Sequence, residues 1–120
     1  ALSGSLLAFN YDITKRLNPH TEFLWLAADS TPPDFAQKID AQKFTIIPHY
    51  ENYGGLGSHQ HAGGINKCLK EVKTRFVLSL DSDFYIIRRG WIDEMLSYMR
   101  EHDLAFFGAT YHAKDYPKYR

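Results

Sequence analysis

The chain has 120 residues, 44% hydrophobic and 15% aromatic, with 14 basic and 14 acidic side chains and a formal net charge of zero. This is the composition of a globular domain rather than a disordered segment, and a chain of this length buries roughly two-thirds of its unfolded surface as one domain. The charge balance argues against a nucleic-acid protein, which carries a basic excess to neutralise phosphates, but not against a small anionic ligand whose charge a metal offsets.

Along the chain, Leu2, Leu6, Phe9, Ile13 and Leu17 recur at spacings of four, three, four and four. That is the helical period, and Asn18 and Pro19 end the helix. Phe23, Leu24, Trp25, Leu26, Ala27 and Ala28 form a buried-strand run, closed by a loop signal at Asp29, Ser30, Thr31, Pro32 and Pro33. A short helix is predicted over 34–42. Phe44, Thr45, Ile46 and Ile47 make a second strand, stopped by Pro48. Residues 51–58 form a glycine-rich loop, with Ser58 as N-cap of a helix running to about Val72 and carrying Ile65, Leu69 and Val72 on one face. Within that helix Cys68 reads as a small buried apolar residue.

A strand over 76–80 follows, then Asp81, Ser82 and Asp83, and a short apolar segment over 84–87. Gly90 precedes a helix from Trp91 to about His102, whose face is Trp91, Met95, Leu96 and Met99. Leu104, Ala105, Phe106 and Phe107 make a last strand before Gly108, and the tail from Tyr111 is polar and aromatic. Helices alternating with apolar strands imply an α/β fold, a three-layer α/β/α sandwich on a mainly parallel sheet. With no internal repeat and no linker, residues 1–120 read as a single domain.

The single cysteine excludes an internal disulfide and fits a reducing, cytoplasmic compartment. No apolar run approaches the roughly 18 residues of a membrane span and no signal peptide opens the chain, so no transmembrane segment is expected; a membrane-peripheral place stays open.

The chemistry concentrates at Asp81 and Asp83. At the C-terminal mouth of a parallel strand they lie where open α/β sheets bind ligands, and in extended backbone residues i and i+2 project to one side. Two carboxylates that close repel unless a cation or a donor-rich ligand sits between them. The pattern suggests a hard divalent ion bridging to phosphate oxygens.

The stretch Val77, Leu78, Ser79, Leu80, Asp81, Ser82, Asp83, followed by Gly90, Trp91, Ile92, Asp93, Glu94, Met95 and Leu96, resembles the Asp-x-Asp region of inverting, family 2-like glycosyltransferases with the GT-A fold. Upstream, the segment from Ser58 to Asn66 is similar to the helix opening that precedes that strand, and Asp29 matches the acid that contacts the nucleoside. The resemblance covers roughly residues 22–108. It implies a nucleotide-sugar donor, UDP- or GDP-linked, bound through Mn²⁺ or Mg²⁺. Asp83 would be the principal metal ligand. Asp81 would reach the ribose and the metal through water, and Asp29 the base or ribose; His61 would line the sugar or phosphate pocket. The acceptor is unknown, and no residue matches the family's catalytic base. The family's first strand has no counterpart before Ala1, and its acceptor half would follow Arg120, so the chain is expected to be the nucleotide-binding half.

Each residue also has a plainer reading. Asp-Ser-Asp suits a loop or helix cap, and Asp29 a turn. The glycine loop lacks the Gly-Lys-Ser/Thr ending of a P-loop, yet its backbone N–H groups and the following helix N-terminus suit a diphosphate. His59 and His61 point about 200° apart on a helix, against joint coordination of one ion. His61 otherwise packs, and Asn66 is an exposed helix residue. Arg88 and Arg89 steer a diphosphate or are simply solvated. Trp91 is a core anchor, and His112 a further candidate ligand. Two rival functions stand beside the transferase. One is a phosphohydrolase using Asp81 as nucleophile, disfavoured because Tyr85 fills a position usually held by Thr or Val. The other is a non-catalytic binding or scaffold module, a homo-oligomer that pairs through an exposed sheet edge.

Overall fold

The computed structural model of the protein describes residues 3–30, 39–50 and 57–108. Among these residues three helices accompany a two-stranded parallel sheet, a mixed α/β structure. Helix α1, Ser3–Leu17, ends with Lys15 and Arg16 in its last turn, where cations complement the helix dipole. Its Leu7 and Tyr11 pack with Trp25 and Ile46 against the buried Ala27, Ile39 and Phe44. The rings of Tyr11, Trp25 and Phe44 meet at centroid distances of 5.4 to 5.7 Å, in tilted or edge-on arrangements that suit aromatic quadrupoles. An ion pair of 2.8 Å between Lys43 and Asp12 closes the outer side, and that hydrogen bond raises the Lys43 ammonium above its ordinary range.

Strand β1, Leu26–Asp29, pairs in parallel with β2, Thr45–Pro48, in the register Leu26 to Thr45 and Asp29 to Pro48. The missing N–H of Pro48 costs this ladder nothing, because Thr45 and His49, on either side of it, donate to Trp25 O and Asp29 O. The ladder starts later than the apolar run beginning at Phe23, although Thr45 N still donates to Trp25 O at 2.8 Å. Of the helix expected over 34–42, residues 34–38 lie outside the described residues. Residues 39–42 are not helical. Asp40 holds them as a turn, accepting Lys43 N and Phe44 N on its carbonyl and Gln42 N on its carboxylate. A carboxylate that bonds the backbone two residues on favours this turn over a helix.

Helix α2, Gly57–Lys70, packs on β1. It starts one residue before Ser58, which therefore sits in its first turn and not at its cap. Leu69, expected on the packed face, is exposed. Helix α3, Trp91–Glu101, opens at Gly90, whose φ of 67° is left-handed; acids occupy its first turn and Arg100 its last. Trp91 is buried, as the anchoring role requires.

Two expected strands, 76–80 and 104–107, form no ladder, and the apolar segment 84–87 forms none either. Phe76, Val77 and Leu78 are exposed, so the segment read as a buried central strand lies on the surface. Side chains take backbone groups that a neighbouring strand would use: Thr74 Oγ1 donates to Phe76 O at 2.8 Å, and Asn10 Nδ2 to Phe84 O at 2.9 Å. The first is a local bond of the kind that competes directly with sheet pairing, and the second ties Phe84 to α1 instead.

Candidate functional site at the strand ends

The C-terminal ends of β1 and β2 meet the first turns of α2 and the acidic turn at 81–84. Asp29, half-buried, is the last residue of β1, and its carbonyl accepts from His49 N at 2.9 Å. His49 is 1% exposed, and its Nε2 lies 2.8 Å from Gln60 O. A carbonyl only accepts, so Nε2 carries the proton. Gln60 in turn donates Nε2–H to Ser30 Oγ at 3.4 Å, and Lys67 donates to Pro48 O at 3.2 Å. The start of α2 is thereby tied to both strand ends. One residue beyond Gln60, His61 Nε2 stands 4.0 Å from Asp81 Oδ1. Both side chains are largely exposed, so the pair is solvent-screened and contributes little to stability even when the imidazole is charged.

Asp81 and Asp83 do not sit on extended backbone. Phe84 N donates to Asp81 O at 3.1 Å, closing a four-residue turn with Ser82 and Asp83 at its centre. Strand alternation thus does not align the two carboxylates; they share a turn, both exposed. Asp is a favoured turn residue, so the plainer reading of Asp-Ser-Asp describes the local backbone correctly.

The structure brings His61 to Asp81, with Asp83 in the same turn as Asp81, while Asp29 stands at the end of β1 with its carbonyl bonded to His49 N. It does not place Arg88 toward them: Arg88 Nε pairs with Glu94 Oε2 at 2.8 Å on α3. Asn66 and His59 are exposed on α2. His112 and most of the glycine-rich loop lie outside the described residues. Two open grooves, of about 390 and 290 Å³, lie at the opposite end of the sheet. They are lined by Tyr11, Phe23 and Trp25, and neither touches Asp29, His61, Asp81 or Asp83.

Among the described residues no three His, Cys, Asp or Glu side chains gather into a metal cage. Ions such as Mg²⁺ and Mn²⁺ take one or two carboxylates and complete their shell with water and phosphate oxygens. Asp81 and Asp83 are exposed hard-oxygen donors of that kind.

Sequence reading overlooked a row of buried polar residues along α1 and just past its end. Asn10, Thr14 and Asn18 are 2 to 3% exposed. The signal lay in their i, i+4, i+8 spacing, a polar stripe beside the apolar one. No protein-family model, curated protein or solved structure matches the chain.

Proposed function

We propose that this protein binds the diphosphate of a nucleotide sugar at the C-terminal ends of its parallel strands, with Mn²⁺ or Mg²⁺ held by Asp81 and Asp83, and that it serves glycosyl transfer as a GT-A-like domain. The three-layer sandwich, the UDP- or GDP-sugar donor and the cytoplasmic setting belong to this reading. One observation carries it: Ser30, Gln60, His61 and Asp81 are linked side by side where β1 ends and α2 begins, with His61 and Asp81 4.0 Å apart and Gln60 bonded to Ser30 at 3.4 Å. Ligands of parallel α/β folds bind at this edge, and a helix N-terminus facing it favours anionic groups.

In this reading Asp29 accepts a hydrogen bond from the base or ribose, and His61 donates to a phosphate or sugar oxygen. The ion supplies Lewis-acid stabilisation of the charge on a departing nucleoside diphosphate. None of the chain's residues is assigned as the base that activates an acceptor.

Thermal unfolding with UDP, GDP and their sugars, with and without Mn²⁺, tests this. A ligand at about 100 times its Kd stabilises the folded state by about 2.7 kcal/mol. The expected result is a metal-dependent rise in Tm for at least one nucleotide, lost in Asp83→Ala. A rise that ignores both the metal and that substitution defeats the proposal.

A scaffold role has its own observation: Phe76, Val77, Leu78, Ile87 and Phe106 are exposed, the last at 85%. Exposed apolar residues in number mark association surfaces. Light scattering over a concentration series decides it, since a monomer throughout removes self-association.

A further inference from the structure

We propose that the buried polar ladder Asn10–Thr14–Asn18, running along α1 to the residue just past its end, is a positioning device that fixes the acidic turn at 81–84 relative to the start of α3, and that cation binding by Asp81 and Asp83 depends on it. The cation part rests on the site reading above; the ladder itself does not.

The hydrogen bonds leave one arrangement. Thr14 Oγ1 donates to Asn10 Oδ1 at 3.2 Å, so the Asn10 amide must turn its Nδ2 outward, and that group donates to Phe84 O at 2.9 Å. Asn18 Nδ2 donates to Thr14 O at 2.9 Å, which leaves Asn18 Oδ1 to accept Ile92 N at 3.2 Å. A side-chain amide has one donor end and one acceptor end, so each is locked by the next. The ladder reaches a carbonyl at one end and an amide N–H at the other. Ile92 N is among the first N–H groups of α3, which lack partners within their helix, and Gly90 has no side chain to cap them. Asn18, just past the end of α1, supplies the missing capping oxygen, and Gly90 N donates to Leu17 O at 2.8 Å beside it.

The spacing matches as well. Asn10 and Asn18 are eight residues apart, about 12 Å along a helix axis. Their partners Phe84 and Ile92 are also eight apart, so the segment between the turn and α3 is held at both ends against one face of α1. Phe84 is the residue whose N–H closes the acidic turn on Asp81 O, and its carbonyl is the group Asn10 grips. The ring of Tyr85, next along, stands edge-on to Phe9 of α1 at 5.0 Å. The 76–80 segment forms no ladder, so α1 takes over the task a strand would perform.

The test is Asn10→Leu, similar in volume but unable to donate, with Thr14→Val as the milder second variant that only unlocks the Asn10 amide. Backbone hydrogen exchange reads the turn at Phe84 and the sheet at Thr45, and free Mn²⁺ measured by electron paramagnetic resonance reads the cation. Faster exchange at Phe84 by about fivefold to tenfold, the effect of losing one hydrogen bond, is expected in Asn10→Leu, with Thr45 unchanged. A loss of Mn²⁺ affinity of similar size is expected, with Thr14→Val in the same direction and smaller. If Asn10→Leu does not fold, Thr14→Val alone decides by the same two readouts. Unchanged exchange at Phe84, equal acceleration at Thr45, or full Mn²⁺ affinity with a loosened turn overturns the proposal. Wild-type protein that binds no Mn²⁺ overturns the cation reading and with it the cation part of this proposal, while exchange at Phe84 still judges the ladder.

Discussion

At Gly64 α2 comes close to the sheet, and Gly64→Ala measures how tightly the two are packed. A Cβ there would lie 3.1 Å from Ala28 Cβ and 3.4 Å from His49 Cδ2. Carbon atoms prefer 3.5–4.0 Å, so a neighbour must give way. Neither does so easily. Ala28 is fixed in register opposite Ile47, and His49 is buried with Nε2 bonded to Gln60 O. Two terms oppose each other. Alanine is worth about 1 kcal/mol over glycine in a helix, and overpacking costs roughly 1–3 kcal/mol. The expected net change is a destabilisation of roughly 0–2 kcal/mol, read from urea unfolding followed by the fluorescence of Trp25 and Trp91. Gly57→Ala is the control, because nothing lies within 4 Å of its Cβ position, so only the helical preference acts. Ala28→Gly removes the nearest atom, and the double variant should recover about 1 kcal/mol relative to the sum of the singles. If Gly64→Ala is as stabilising as Gly57→Ala and adds independently to Ala28→Gly, the close approach does not exist in solution.

Two further outcomes test other parts of the fold. Gly90→Ala is expected to cost about 1–2 kcal/mol by the same unfolding assay, from its left-handed φ of 67° alone, because its Cβ position is open; an unchanged midpoint refutes the cap geometry. Burial raises the Cys68 thiol above its ordinary 9.0, partly offset by the Ala28 backbone hydrogen bond. The folded state then holds that proton more tightly, so this contribution to stability is complete below pH 9.0 and is lost as pH rises through the raised value. Cys68→Ala should flatten the alkaline fall in unfolding midpoint above pH 9.0, and an identical fall in both proteins refutes the burial.

Elements with a clear period were legible in the sequence. The four-and-three spacing of Leu6, Phe9, Ile13 and Leu17 located α1, and the Gly90–Trp91 pair located α3 to within a residue. The parallel partners β1 and β2 followed from short apolar runs cut off by Pro32 and Pro48. The strand at 76–80 was the misreading. An apolar run states that a segment can pair, not that a partner's N–H and C=O groups are available, and the Phe76 carbonyl bonds to Thr74 Oγ1 instead. Near the strand ends, Asp29 and His61 were named as candidates, and they lie at the end of β1 and early in α2. Gln60 and His49 were not, because a glutamine and a histidine bonded through a backbone carbonyl leave no pattern in spacing.

The misread strand changes what holds the acids. Had 76–80 been laddered, Asp81 and Asp83 would have inherited their direction from the sheet, rigid on both sides. In the structure their turn is closed by one backbone bond of 3.1 Å and anchored by one side-chain bond of 2.9 Å from α1. Each such bond is worth about 1 kcal/mol net, far less than a strand's worth of pairing. Under the proposed function, a pair of carboxylates on so light a mount would approach a cation by adjusting the turn, and part of the binding energy would go into ordering it. Affinity for the bare ion should then be weak and rise when a diphosphate supplies the remaining oxygens, because the same ordering serves more bonds. On that proposal metal and nucleotide binding are mutually dependent, with each tightening the other by the same factor.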